Sequence, residues 1–198
     1  ADQYVDIDMC LWYLALENLF IDNDGYWVRA SDFNIYVDSN GRIYPILRDA
    51  NETFRQPGGP GFRQDNSHSG RFGISPYHGK DDQNKILAHI LFGDESLRAR
   101  YAAHYRTLAN EWLIWENLKP IVDDYHNLIA PIVKTDVSKL YGYEAFKSSI
   151  AGVSAANLES GPFGSNNVSF KEFTDERSIY LLNFPELDHL KITPKEIR

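Results

Sequence analysis

Cysteine is almost missing from this 198-residue chain. Cys10 stands alone, so no internal disulfide and no cysteine-built zinc site can form. Positive charge is also short: 20 Lys and Arg face 28 Asp and Glu, a formal charge of -8. A surface that tracks nucleic-acid phosphates is normally basic, so that class of partner is not expected. A nucleotide is not excluded, because ATP is usually held through Mg²⁺ and the metal wants carboxylates. No apolar run is long enough to span a bilayer; the longest, about Met9 to Phe20, is interrupted by Glu17 and Asn18. No signal-peptide pattern opens the chain, which begins Ala-Asp-Gln-Tyr and passes directly into a helical pattern, the look of a trimmed or processed piece. The six histidines (68, 78, 89, 104, 126 and 189) show no His-x-x-x-His pair or similar ligand spacing, so zinc is not expected.

What is present is core material. Hydrophobic residues make up 43% and aromatic residues 14%, enough for one folded domain of ordinary size. Asp6 and Asp8 are candidate N-caps for a largely buried helix through Cys10, Leu11, Leu14 and Phe20, ending near Asp22-Asn23-Asp24-Gly25. Two short strands, Phe33 to Val37 and Arg42 to Leu47, flank Ser39-Asn40-Gly41, a hairpin signal because Asn and Gly accept positive φ. A stretch without periodicity runs from Ala50 to about Lys80, and loops of that length inside a compact domain are usually functional or mobile. The rest reads as helices. One starts at Asp81 or Asp82 and ends at Gly93. The next is capped by Asp94, with Leu97, Tyr101, Tyr105, Leu108, Trp112 and Trp115 at helical spacing. Further helices are expected over Leu118 to Val133 with Pro120 in the first turn, over Ser138 to Ile150, and after Ser169 with Phe170, Phe173, Ile179 and Leu182 on the apolar side. Gly152 to Asn167 reads as a surface loop. No internal repeat and no second-domain boundary are evident. The expected class is α+β, mainly helical, with one small hairpin.

The acidic residues around that hairpin are the candidates for chemistry. Asp24 follows the first helix, Asn34 opens one strand and Asp49 follows the other. The two ends of a tight hairpin lie near each other, so Asn34 and Asp49 are candidates to face a common point. An amide oxygen with a carboxylate suits a hard cation such as Mg²⁺ bound to a nucleotide. A nearby carboxylate that does not ligate the metal is placed to take the proton of an attacking hydroxyl, and Asp24 is the candidate. Asp and Asn also occur at strand ends and turns simply because they bond local backbone; spacing alone leaves both readings open.

The order Asp24, then Asn34-Ile35-Tyr36-Val37-Asp38, a glycine turn, and a strand ending in Asp49-Ala50-Asn51 resembles the CotH kinase family. Ile90-Leu91-Phe92-Gly93-Asp94 leading to an Arg/Tyr-rich helix, Ile129 to Val133 followed by Asp136, and a late Phe173-x-x-x-Arg177 helix with Pro185-Glu186-Leu187 are similar too. The likeness runs from about Val5 to Leu187. It implies an atypical protein-kinase-like C-terminal lobe, with residues 1–187 as the C-terminal part of a kinase domain, its N-terminal nucleotide-lid part missing, and 188–198 as a linker or tail. It implies phosphoryl transfer from ATP to a protein Ser or Thr. Asp49 and Asn34 would hold Mg²⁺ (or Mn²⁺) and the nucleotide, with Asp24 as the base. An exported, cell-surface or spore-associated setting is implied as well. The sequence departs from the family pattern at Leu47-Arg48, where the family usually carries Trp before the key Asp. A kinase also needs a phosphate-gripping Lys, and no Lys precedes Lys80; the fragment alone is expected to be weakly active or inactive.

Other features have plainer readings. Gly58-Gly59-Pro60-Gly61 lacks the Lys-Ser/Thr of a P-loop and reads as a flexible loop. The Tyr101, Tyr105, Trp112 and Trp115 stripe reads as core rather than a carbohydrate platform. Glu17 and Asn18 admit two readings, facing the site from the buried helix or satisfying local backbone. Two rivals stand beside the kinase: a non-catalytic binding or surface-display module of the same fold, and a hydrolase pairing Asp24 with Asp49.

Overall fold

The computed structural model describes residues 3–58, 70–151 and 168–188. Helix α1 (Ile7–Leu19) is the axis of the core. Asp6 caps it, accepting from the Met9 amide at 2.9 Å. Cys10, Leu11, Leu14, Ala15 and Leu19 are all buried, while Asp8 and Met9 of its first turn face solvent. Its packed neighbours are α2 (Ile86–Gly93), α3 (Glu95–Thr107) and the hairpin. Asp94 caps α3 through the Leu97 amide. A π-turn over Leu108–Trp112 ends that helix, and the amphipathic α4 (Trp115–Thr135) follows. Short α5 (Tyr143–Ser148), α6 (Phe170–Leu182, capped by Ser169) and α7 (Pro185–Asp188) complete the described elements. Phe72, Tyr77, Phe92, Tyr101, Tyr105 and Phe173 build the aromatic part of the core by tilted and edge-to-face contacts.

Strands β1 (Phe33–Val37) and β2 (Ile43–Leu47) pair antiparallel, with Phe33 opposite Leu47 and Val37 opposite Ile43. The Asp38 carboxylate closes the turn by accepting from the Asn40 and Arg42 amides, and Gly41 supplies the positive φ of 80°. The hairpin is tied to the start of the chain, where Asp6 N–H donates to Ile43 O and Ile43 N–H to Tyr4 O. At its other end the Phe33 ring meets Tyr26 of the loop that follows α1, edge to face at 5.5 Å. The fold is α+β and mainly helical, with one short hairpin.

Several boundaries differ from expectation, each for a local reason. Asp82 does not start α2. Its carboxylate and carbonyl close a turn onto Asn84 and Lys85, so the helix begins only at Ile86. Helix α4 starts three residues early, which puts Pro120 in its second turn. Residues 138–142 are not helical, because Asp136 folds back onto the Ser138 amide and Gly142 is extended at the head of α5. Ile179 and Leu182 are exposed, and α6 instead buries Phe173, Thr174, Arg177 and Leu181. Of the aromatic stripe, Tyr101, Tyr105 and Trp115 are buried and Trp112 is half exposed. The expected loop at 152–167, Gly59-Pro60-Gly61, His68, His189 and the tail from 189 lie outside the described residues. Among the described residues no helix is long and apolar enough to cross a membrane.

Candidate active site

The chain leaves α1 in a strained turn. Ile21 is fully buried yet has φ 53°, a left-handed conformation that a β-branched residue adopts only under constraint. Asp22 then organises the next turn: its Oδ1 accepts from the amides of Asp24 (3.2 Å) and Gly25 (3.1 Å). The Asp24 carbonyl accepts from Ser31 N–H, Asp32 N–H and Ser31 Oγ–H, which carries the loop directly into β1. Asp24 itself is buried, and its carboxylate is ion-paired with the Arg29 guanidinium.

This loop is bound to the segment after β2. Asn23 is the clasp: its amide N–H donates to Glu52 O, its Nδ2 to Gln56 O at 3.1 Å, and its Oδ1 accepts from Gly58 N–H at 3.0 Å. Phe54 N–H donates to Phe20 O at 2.8 Å, and the Phe54 ring packs among Phe20, Phe170 and Phe173. Asp49 sits at the head of a 3₁₀ turn (Ala50–Glu52). Among the described residues, four non-glycine residues have positive φ: Ile21, Ala30, Asp49 and Phe54. All four lie on these two joined loops. Strain of this kind survives only where the surroundings over-determine it, and it gathers at functional sites.

Negative charge converges here. Burial pushes the Asp22 carboxyl up to about 6; the Gly25 amide opposes the rise, and the charges of Asp32, Glu52 and Asp49 add to it. Two of the acidic groups have cationic partners: Arg29 meets Asp24, and Arg55 meets Glu52 at 2.8 Å. Asp22 Oδ2 is buried with no hydrogen-bond partner.

The structure thus brings Asp24 and Asp49 to one end of the hairpin, on loops that hydrogen bond to each other. Asn34 lies at the same end, exposed in β1 and opposite Ile46. The ladder alone does not aim Asn34 and Asp49 at one point. Asn34 shares a face with Ile46, and a strand continued to residue 49 would place Asp49 on the other face. The left-handed backbone at Asp49 (φ 48°) breaks that alternation. Among the described residues no three His, Cys, Asp or Glu side chains gather to hold a metal by themselves. Mg²⁺ asks for less, since it commonly takes one or two protein oxygens and completes its shell with water and phosphate. Asp49 and Asn34 fit that donor chemistry.

Sequence reasoning passed over Asp22, Asn23 and Arg29. Asp22 and Asn23 were visible only as turn formers, and nothing in local spacing announced that Asn23 reaches residues 56 and 58. Arg29 five residues after Asp24 was the one readable hint of a paired carboxylate.

A mainly helical α+β fold with an acidic site where a hairpin meets a strained loop is the class these features define. The chain belongs to the CotH kinase protein family, whose model matches residues 2–181. It is similar to the invasin CotH7 of Rhizopus delemar, 27% identical over 175 residues. That match covers 80% of this chain and 28% of the relative's length.

Proposed function

We propose that residues 1–187 form the metal-binding and catalytic portion of a CotH-type kinase domain, which transfers the γ-phosphoryl group of ATP to a protein Ser or Thr. The observation that carries this reading is the joining of the Asp24 loop to the Asp49 segment through Asn23, in a chain of the CotH kinase family. Asp49 and Asn34 hold the nucleotide-bound Mg²⁺ or Mn²⁺. When bound, that metal neutralises charge on the transferring phosphoryl group. Asp24 accepts the proton of the attacking hydroxyl at a carboxylate oxygen. Its partner Arg29 covers the carboxylate and must swing aside for substrate. Asn23 and Phe54 hold the two loops in register, which is the positioning that phosphoryl transfer mainly requires.

The test is incorporation of labelled γ-phosphate by the longest natural form of the protein, with Mg²⁺ or Mn²⁺ and a Ser/Thr protein acceptor. Asp49→Ala and Asp24→Asn should each reduce labelling by on the order of 100-fold or more. Equal labelling by wild type and Asp49→Ala sinks the metal assignment.

One observation favours a second reading, a non-catalytic module displayed at a cell surface. The similar Rhizopus protein is named an invasin. The closed Asp24–Arg29 pair suits a site that no longer turns over, and the exposed Ile121, Tyr125, Leu128 and Ile132 of α4 suit adhesion. Surface exposure with no label transfer under any metal would favour this reading.

A further inference from the structure

The Asp22–Gly25 turn rests on a buried acid that the proposed chemistry does not use. Glu17 stands in the last turn of α1, 1% exposed. Its carboxyl group lies flat beneath Gly25: a Cβ on that glycine would meet Glu17 Cδ and Oε1 at 2.8 Å and Oε2 at 2.9 Å. Gly25 is not in the left-handed region, so the carboxyl beneath it, rather than the backbone angle, is what excludes a larger residue there. The Asp22 amide donates to Glu17 O at 2.9 Å, so both ends of the turn are anchored on this one residue.

The groups facing the carboxyl come from three directions. Tyr13 lies one turn back along α1. The backbone amides of Tyr26 and Trp27, and the carboxyl of Asp22, come from the loop. Lys85, just before α2, feels the charge of Glu17 but spends its ammonium on Tyr26 O at 2.9 Å and Val28 O at 2.6 Å. Neither carboxyl oxygen meets hydrogen-bond geometry, and Tyr13 Oη and Trp27 Nε1 are likewise buried without partners. A charge on Glu17 would therefore be buried beside Asp22 with no cation bonded to it.

We infer that Glu17 is a positioning residue: as a neutral acid it seats the Asp22–Gly25 turn and so holds Asp24 where the site needs it. The inference rests on Asp24 being the base. Burial pushes the Glu17 carboxyl up to about 8, eased by Tyr13 and raised further by Asp22, so the acid form dominates at neutral pH and is lost just above it.

The test uses amide NMR of the 198-residue chain across pH 6.5 to 9. The amides of Gly25 and Asp24 should shift in one step near pH 8. Glu17→Gln, nearly the same shape without an ionisable proton, should keep the pH 6.5 positions and lose the step. Gly25→Ala, which drives a methyl into the carboxyl, should displace the Asp24 amide. In the phosphate-transfer assay Gly25→Ala should lower kcat by on the order of 10- to 100-fold, with KM for ATP within about twofold. A step that persists in Glu17→Gln, or the lack of any step in wild type, overturns the inference. Transfer that survives Asp24→Asn while the step is present overturns the assignment of Asp24 as the base instead, so the two failures are told apart.

Discussion

Arg177→Lys probes the polar centre that holds the site's helix in place. Arg177 is fully buried on α6 and reaches three other parts of the chain. Nη1 donates to Phe72 O and Ile74 O, both at 2.9 Å. Nη2 meets Asn18 O, Asn18 Oδ1 and the Tyr105 hydroxyl at 2.8–3.1 Å, and Nε reaches Leu19 O at 3.3 Å. Every one of these partners is a neutral oxygen. The geometry is a planar fork spread over the end of α1, the 72–74 segment and α3. Lysine keeps the charge but carries three donors at a single point, so it satisfies at most three of these six contacts. Each hydrogen bond lost from a charged donor in the core costs about 1–3 kcal/mol. Even at the low end, three lost contacts amount to about 3 kcal/mol, a large share of the roughly 5–15 kcal/mol that holds a domain together. Urea unfolding at about 1–3 kcal/mol per molar should show the midpoint fall by about 1–3 M. Arg177→Met should cost at least as much, because it removes the donor from all six contacts and leaves Ile74 O and Leu19 O without the guanidinium that serves them. If Arg177→Lys unfolds within about 1 kcal/mol of wild type, the guanidinium is not the centre of this core.

Two further outcomes rest on local features. Glu17 ties stability to pH with a definite sign. Its carboxyl is raised in the fold from an ordinary 4.5 to about 8, so the unfolded chain ionises first and folding loses about 1.4 kcal/mol per pH unit as pH rises between those values. Urea melts at pH 6 and 8 should therefore show Glu17→Gln gaining about 2–3 kcal/mol relative to wild type; parallel pH profiles would contradict the burial of an uncompensated acid. Asp6→Ala removes the α1 cap and the Arg42 partner at 3.1 Å. A loss of about 1 kcal/mol, seen as a fall of about 2–4 °C in Tm, is expected, and an unchanged Tm would mean the cap contributes nothing.

Much of the fold could be read from local chemistry. Asp6, Asp94 and Ser169 cap the helices they precede, because an N-cap is a bond between near neighbours. Gly41 marks the hairpin, and Phe33 and Leu47 end it as expected. Misreadings came where a short polar side chain chose a turn over a helix, as Asp82 and Asp136 do, or where a helical stripe met no partner, as at Ile179 and Leu182. The candidate site was legible in part. Asp24, Asn34 and Asp49 could be named from their positions around the hairpin. The clasp at Asn23, the cover of Arg29 on Asp24 and the buried acid under Gly25 could not.

Order along the chain determined the family, the helical class and the acidic character of the hairpin's open end, since these depend on residue type and on spacings of a few positions. Only the tertiary structure decided the environment of each acid: which is covered by a cation, which is crowded by others and which is buried without a charge partner. Those outcomes depend on distances between residues far apart in sequence, such as Glu17 near Lys85 or Asn18 against Arg177. The free energy of a charge is set by its surroundings in space, and linear spacing does not encode them.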